Sequence, residues 1–445
     1  MRPDRAYATF QRIVAAWGIP QEATIVIACS GGIDSVALAH LFRRFQERQR
    51  PDLQLALGHV QHNLRGAEGE AAERGCKELA EQLGFAWLHA SVDVGAYQAQ
   101  EQTSLETAAR DLRRQGYQRW AAETGAWGVA LAHHRDDQAE TILGNVLRGT
   151  GLHGLGGMLE TTTLERDQEL HLLRPLLQVP KVDLEDFVGE VGATTYHDST
   201  NDKNDHRRNR IRNELLPQLR RYNPQVIDAL EALGGEAQEI EAFLDEQAQP
   251  AIAACVWGPS AMAIQREALN ALPAPLVCAV LRHAWRRLTK TDSGLTRDHY
   301  KAWTRIAAAS DGALYDLPGG WQIERAGTRV TIFLSSPMRQ SEYPQEGTVR
   351  TTFGLEATAD NMSGVWRAAT QGDRIEIETG HAEVAELLRA AGIPRHIRTD
   401  YPVLVDNNEI QWIPGVRWSP KSSHTGKLTI NESTPEGWLI SQATQ

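Results

Sequence analysis

The sequence predicts an α/β chain that opens with a parallel-sheet domain, continues through a mainly helical segment and closes with a small α+β unit. Three observations carry this reading. Through about Leu219, short runs rich in Val, Ile, Leu and Ala alternate with stretches of helical period, as successive βαβ units require. Near Asn223-Pro224 the rhythm stops, and long Ala/Leu/Glu-rich stretches run to about Leu288. Beyond a polar, Pro-containing stretch from Ser335 to Gly347, strand-like runs return with one helix among them. The expected domains are 1–219, 220–336 and 351–445, in keeping with 445 residues at roughly 150 per domain.

The elements follow in order. Strands are expected over Thr24 to Ala28, Leu53 to Val60, Phe85 to Val92 and Gly128 to Ala132. Leu38, Leu41, Phe42 and Phe45 fall at i, i+3, i+4 and i+7, and Ala72, Cys76, Leu79, Ala80 and Leu83 keep the same period, so both stretches read as crossover helices. A third helix carries the core stripe Leu105, Ala108, Ala109 and Leu112, with Glu106, Arg110, Arg113 and Tyr117 on the neighbouring face. A fourth turns Ala139, Ile142, Leu143, Val146 and Leu147 inward and Asp137, Glu140, Thr141, Gly144 and Arg148 outward. Later, Leu317-Pro318-Gly319-Gly320 precedes a hairpin of Trp321 to Glu324 and Thr328 to Leu334, and a helix from His381 to Ala391 ends at Gly392 and Pro394.

Composition excludes several classes. With 41% hydrophobic and 23% charged residues the chain is neither disordered nor fibrous. A net charge of −11 argues against coating nucleic acid by bulk attraction and leaves room for a local basic track. The four cysteines, Cys29, Cys76, Cys255 and Cys278, form no C-x-x-C pair, so neither a disulfide framework nor a zinc ribbon is readable. A reducing, cytoplasmic setting is expected. No apolar h-region and no run near ~18 apolar residues suggests a signal peptide or membrane span, so the chain reads as soluble and unprocessed. Monomer and homodimer both remain open.

The most informative stretch is Ile25-Val26-Ile27-Ala28-Cys29-Ser30-Gly31-Gly32-Ile33-Asp34-Ser35. A buried strand ends in a Ser-Gly-Gly turn and a helix begins, a place where free N–H groups and the helix dipole favour an anion. No lysine follows the glycines, so this is not the G-x-x-x-x-G-K-[ST] loop. A nucleophile elbow centred on Ser30 is the rival from another class, a serine hydrolase, since Ala28 to Gly32 approximates G-x-S-x-G. That elbow normally follows several strands and gives Asp34-Ser35 no task. Ser30-Gly31-Gly32-Ile33-Asp34-Ser35 instead resembles the S-G-G-x-D-S signature of the PP-loop ATP pyrophosphatases, which implies cleavage of ATP between the α and β phosphates.

Further motifs narrow the resemblance. His59-Val60-Gln61-His62-Asn63-Leu64-Arg65, Glu106 to Arg113, His133-His134-Arg135-Asp136-Asp137-Gln138-Ala139-Glu140-Thr141, Leu147 to Leu155, Arg174-Pro175-Leu176-Leu177 and Asp198-Ser199-Thr200-Asn201 together resemble the tRNA(Ile)-lysidine synthase family in order and spacing. Gly372-Asp373-Arg374, Ile393-Pro394 and Pro414-Gly415 look like that family's C-terminal domain. The resemblance implies ATP and Mg²⁺ as cofactors, L-lysine and a CAU-anticodon tRNA(Ile) as substrates, and joining of lysine to C2 of the wobble cytidine through an adenylated intermediate. It implies that Ser30, Gly31, Gly32, Ile33, Asp34, Ser35, His59 and His134 hold ATP, with Asp34 organising Mg²⁺. Asp137, Glu140 and Glu106 would hold lysine, whose amine, of unperturbed pKa ~10.4, must bind as a cation and then lose a proton. Arg110 and Arg113 join Asp34, Asp137 and Glu140 as catalytic candidates. The family usually shows Arg-Tyr where this chain has Arg113-Arg114, which leaves the split between Arg110 and Arg113 open.

Two readings stand beside these. His59, His133, His134 and Asp136 read alternatively as metal ligands, although adjacent histidines rarely aim both rings at one centre. A PP-loop tRNA thiolase would also adenylate a pyrimidine oxygen, yet it needs placed cysteines. From Lys203 to Arg221 seven Lys and Arg stand against two acidic residues, so Arg207, Arg208, Arg210 and Arg212, with Arg148, are expected to meet tRNA phosphates. His153 and the Gly149 to Gly157 loop are candidates for the flipped cytidine, and the C-terminal unit for reading the tRNA body.

Overall fold

Helix α1 (Asp4–Ala15) leads into strand β1 (Thr24–Ala28), whose middle residues Ile25, Val26 and Ile27 are fully buried. A strand apolar on both faces belongs in the middle of a parallel sheet. The computed structural model describes residues 4–61, 66–164, 170–196, 207–258, 260–291, 294–334, 343–344, 347–359, 364–420, 422, 426–431, 437–438 and 440–441. After β1 come α2 (Ile33–Arg48), β2 (Gln54–Gln61), α3 (Gly66–Leu83), β3 (Ala86–Ser91), α4 (Val94–Glu101), α5 (Leu105–Thr124), β4 (Gly128–Ala130) and α6 (Arg135–Val146). The short α7 (Leu152–Leu155), β5 (Thr161–Leu164), β6 (Leu170–Leu173) and α8 (Lys181–Val191) follow.

The sheet has the order β3-β2-β1-β4-β6-β5, parallel throughout except for β5. The chain adds β2 and β3 on one side of β1 and then crosses to place β4 on the other. Between β1 and β4 the direction of winding reverses, and open α/β sheets bind ligands beyond the strand ends at such a point. The four expected strands are present, with β4 ending two residues earlier than expected. One face of the sheet carries a core of Phe10, Leu38, Phe42, Leu57, Leu79 and Phe187. The other packs Val26, Ala56, Trp120 and Val129. Gly58 is required there, because a Cβ on it would stand 2.6 Å from the Trp120 ring.

Past α8 the described chain resumes as α9 (Arg207–Arg210), one π-helical turn at Ile211–Leu215, and α10 (Leu216–Tyr222). Ile211 and Leu216 pack with Leu143 of α6, and Gly144 lets Ile211 come close, so this segment lies along α6. Helix α11 (Val226–Ala253) then spans the division between two compact units, Met1–Glu241 and Ala242–Gln445.

Two large apolar cores organise the described part of the second unit. In one, helices Ala274–Thr289 and Arg297–Ile306 pack Leu281, Trp285 and Trp303 with Ile323 and Ile332 of a five-stranded antiparallel sheet. The expected hairpin is Trp321–Ala326 paired with Arg329–Leu334, and the Gly319 and Gly320 before it take φ of +68° and +81°. Two strands of that sheet, Val256–Gly258 and Ala261–Gln265, interrupt a stretch that reads as helical in sequence, because pairing of Ala261–Gln265 with Arg329–Leu334 and burial of Met262 and Ile264 override the local propensity. The other core joins Phe353, Trp366, Tyr401, Val403 and Trp412 across antiparallel strands. Here the helix expected from His381 starts only at Val384, since Gly380–Glu383 pairs as a strand with Arg374–Ile377.

Candidate active site

The loop after β1 is held from several sides. Gly31 has φ +84°, a conformation that glycine adopts without strain. The Ser30 N–H donates to Ser35 Oγ at 3.2 Å, and that hydroxyl donates to the Gly32 carbonyl at 2.9 Å. Helix α2 begins at Ile33 with Gly32 as N-cap and no side-chain cap, which leaves first-turn N–H groups for an anion. His59, at the end of β2, donates from Nδ1 to the Cys29 carbonyl at 2.8 Å, and burial lowers its pKa and so favours the neutral ring. Ser30 Oγ meets Ser35 Oγ at 3.3 Å and the Gly32 N–H, and no histidine base reaches it among the described residues. The nucleophile-elbow reading therefore lacks its base.

At the end of β4 the backbone hands over to α6 through His134, only 2% exposed. Its N–H donates to Asp137 Oδ2 at 3.0 Å, while its Nε2 lies 3.4 Å from that oxygen and 3.7 Å from Asp34 Oδ2. His134 thus links the phosphate loop to the acidic turn of α6. Lys181 at the start of α8 adds its Nζ 3.6 Å from Asp34 Oδ2, whereas Asp34 Oδ1 is buried with no hydrogen-bond partner among the described residues.

Asp137 and Glu140 point the same way from α6, and both are buried. Arg208 Nη2 and Arg212 Nη2 approach Asp137 Oδ1 at 2.9 and 2.8 Å. Arg208 Nε donates to Glu140 Oε2 at 2.9 Å, and Arg212 Nε to Glu140 Oε1 at 2.5 Å. Two buried carboxylates are thus matched by two guanidinium groups. Burial on its own would raise the Asp137 carboxyl, but His134, Arg208 and His133 outweigh it and bring it down to about 2. Burial lowers His133 to about 3, and its Nδ1 has no hydrogen-bond partner among the described residues.

The remaining sequence candidates fall in different places. Arg113 acts electrostatically on His133, and Arg110 on Arg174, which burial lowers to about 10. Glu106 is exposed in the first turn of α5, outside the contacts around Asp137 and Glu140. Arg148 bonds Asn145, Arg210 lies 4.0 Å from Glu214, and Arg207 is exposed. His153 Nδ1 meets Glu241 at 3.0 Å. His62 to Arg65, Asp198 to Asn201, and Lys203 lie outside the described residues. No group of three or more His, Cys, Asp or Glu among the described residues is placed to hold a metal ion, so the histidine-rich metal reading gains no support.

Sequence reading missed several contacts. Spacing showed no cysteine pair, yet Cys76 of α3 donates to Cys29 at 3.5 Å, lowering the Cys29 thiol and raising its own. Both are 4% exposed or less, on the core side of the loop. Lys181 and Tyr196 also reach the site from regions with no local signal of it, and Arg174, part of the Arg174-Pro175-Leu176-Leu177 motif, acts electrostatically on His133.

Comparison with known proteins agrees with this geometry. Residues 5–219 match the PP-loop domain, and residues 365–431 match the TilS substrate C-terminal domain. The first unit is accordingly that of a PP-loop, ATP-using enzyme. The tRNA(Ile)-lysidine synthase of Symbiobacterium thermophilum is 28% identical over 93% of this chain and 95% of its own length. That of Pseudomonas syringae is 29% identical over 89% and 90%, and that of Enterococcus faecalis 34% over 52% and 48%. The chain is thus similar to tRNA(Ile)-lysidine synthases over about nine-tenths of its length.

Proposed function

We propose that this protein is a carbon-nitrogen ligase that joins L-lysine to C2 of the wobble cytidine in CAU-anticodon tRNA(Ile), using ATP and releasing AMP and pyrophosphate. The observation that carries the proposal is the pair of buried carboxylates, Asp137 and Glu140, linked through His134 to a phosphate loop. Nucleotide phosphates would lie against the Ser30 to Ser35 turn and the first turn of α2. Cytidine O2 attacks the α-phosphorus and pyrophosphate leaves, which turns a poor leaving group into AMP. The lysine ε-amine then attacks C2 and AMP departs.

Asp137 and Glu140 would receive the lysine ammonium in place of one guanidinium. A carboxyl near 2 stays charged at neutral pH, which suits cation binding better than accepting the proton. Asp34 fits Mg²⁺, because one of its oxygens is buried with no partner among the described residues and Mg²⁺ is usually held by one or two carboxylates plus substrate phosphates. When bound, that ion would neutralise charge on the leaving pyrophosphate. Exposed Arg207 and Arg210 are available to tRNA phosphates. Glu106, Arg110 and Arg113 are proposed as neighbours of the bound substrates. We also propose a catalytic domain at 1–219, a tRNA-contacting domain at 220–336 and a tRNA-recognition domain at 351–445. No helix among the described residues is long and apolar enough to cross a membrane, and we place the enzyme in the cytoplasm.

Labelled lysine should enter unmodified CAU-anticodon tRNA(Ile) only with ATP and Mg²⁺, with AMP and pyrophosphate formed in equal amounts. ADP and phosphate as products, or sulfur incorporation in place of lysine, would overturn the proposal.

A further inference from the structure

Tyr196 lies well past α8, in a stretch with no motif pointing to the nucleotide loop, yet it touches that loop twice. Its backbone N–H donates to the Gly31 carbonyl at 2.8 Å. Its ring lies over the same residue, since a Cβ on Gly31 would stand 3.5 Å from Tyr196 Cδ2 and 3.6 Å from its Cβ. The ring also needs Gly75 of α3, where a Cβ would lie well within 3.0 Å of it. Tyr196 is therefore seated between the turn of the phosphate loop and a gap in the surface of α3 that only glycine leaves.

Peptide geometry gives this seat a consequence. The Gly31 carbonyl and the Gly32 N–H belong to one trans peptide plane and point in opposite directions. With the carbonyl bound to Tyr196, the Gly32 N–H faces the other way, toward Ser30 Oγ at 3.5 Å. That is the side on which the hydroxyls of Ser30 and Ser35 meet. Gly31 sits at φ +84° and has no side chain to restrain it, so nothing in the residue itself prevents the peptide from turning over.

We propose that Tyr196 is a positioning residue for the nucleotide: docked on Gly75, it clamps the Gly31–Gly32 peptide so that the Gly32 N–H presents to an ATP phosphate. The inference rests on the reading of this loop as the ATP site. Tyr196 touches no reacting atom, and its effect passes through the loop backbone. The ring supplies the anchor, and the backbone N–H supplies the bond.

Two variants and a control test it on the full chain, with Mg-ATP binding followed by calorimetry and lysine KM by transfer to tRNA. Y196A should weaken ATP about tenfold and leave lysine KM unchanged. G75A should weaken ATP similarly by displacing the ring, while its melting temperature holds or rises, because alanine is the better helix former in α3. Y196F keeps the ring and the N–H and should restore wild-type ATP affinity. ATP binding within twofold of wild type in both Y196A and G75A would overturn the inference, as would Y196F binding as weakly as Y196A. A parallel loss of lysine and ATP in G75A would also overturn it, by showing a general structural role. If Y196A fails to fold, G75A decides. Wild-type protein that binds no ATP would refute the reading of the loop instead.

Discussion

Replacing Asp137 by Asn separates the two half-reactions. Asn keeps the shape of the side chain and can still accept the His134 N–H, but it removes one of the two charges that face Arg208 and Arg212. Asp137 is held at about 2 against an ordinary 3.8, which at ~1.4 kcal/mol per pH unit corresponds to about 2 kcal/mol favouring the charged form. Because the folded-state pKa is depressed, this stabilisation is complete above the unfolded value of 3.8 and is lost as pH falls through about 2, so it is fully present at assay pH. D137N should therefore lower the melting temperature by about 4–8 °C for a unit of this size. For lysine, losing one charged hydrogen bond worth about 1.5–3 kcal/mol raises KM by about 10- to 100-fold. Adenylation, read as pyrophosphate released with tRNA in the absence of lysine, should stay within about threefold of wild type. A lysine KM within twofold of wild type, or adenylation falling in step with lysine transfer, would refute the assignment.

Other expectations follow from the same structure. Glu324 is fully buried and burial raises it to about 7, opposed by the Arg395 N–H and the Arg398 charge, so the folded protein keeps a proton that the unfolded chain gives up near 4.5. Its contribution is fully present below 4.5 and fades as pH rises through about 7, worth up to about 3 kcal/mol; urea midpoints at pH 5 and pH 8 should differ in wild type and converge in E324Q, and an unchanged slope in E324Q would exclude Glu324 as the source. G58A drives a methyl into the buried Trp120 ring and should cost about 1–3 kcal/mol by chemical denaturation, whereas wild-type stability would show that the sheet shifts freely. R207A/R210A should weaken tRNA binding and reduce the slope of log affinity against log salt by about 0.7–0.9 for each phosphate no longer neutralised, and an unaltered slope would place the phosphate track elsewhere.

Much of the loop after β1 was legible along the chain. Ile25–Ala28 is apolar without interruption, Gly31 and Gly32 follow, and the 3.6-residue period starts at once, so strand, turn and helix are each announced locally. Asp137 and Glu140 were legible as polar residues one turn apart on a helix that buries Ala139, Ile142 and Leu143, although Val146 and Leu147, expected to face inward, are exposed. Where two elements compete for one composition, the local signal failed. His381 to Glu383 scans as the start of a helix and is drawn into a strand by Arg374–Ile377, a partner that spacing does not reveal.

The order of residues along the chain was enough to specify the phosphate loop, the parallel strands that carry it, and the presence of paired carboxylates on α6. What meets them was decided by packing. Arg208 and Arg212, read in sequence as a phosphate track, close on Asp137 and Glu140 because Ile211 and Leu216 pack the π turn against Leu143. Cys76 finds Cys29, and Tyr196 finds Gly31, because the sheet order brings α3 and the chain beyond α8 to the end of β1. Hydrophobic period and turn chemistry are written within a few residues, so a sequence displays them. Contact between distant side chains depends on which faces the core buries together, and that is settled only when the whole unit packs.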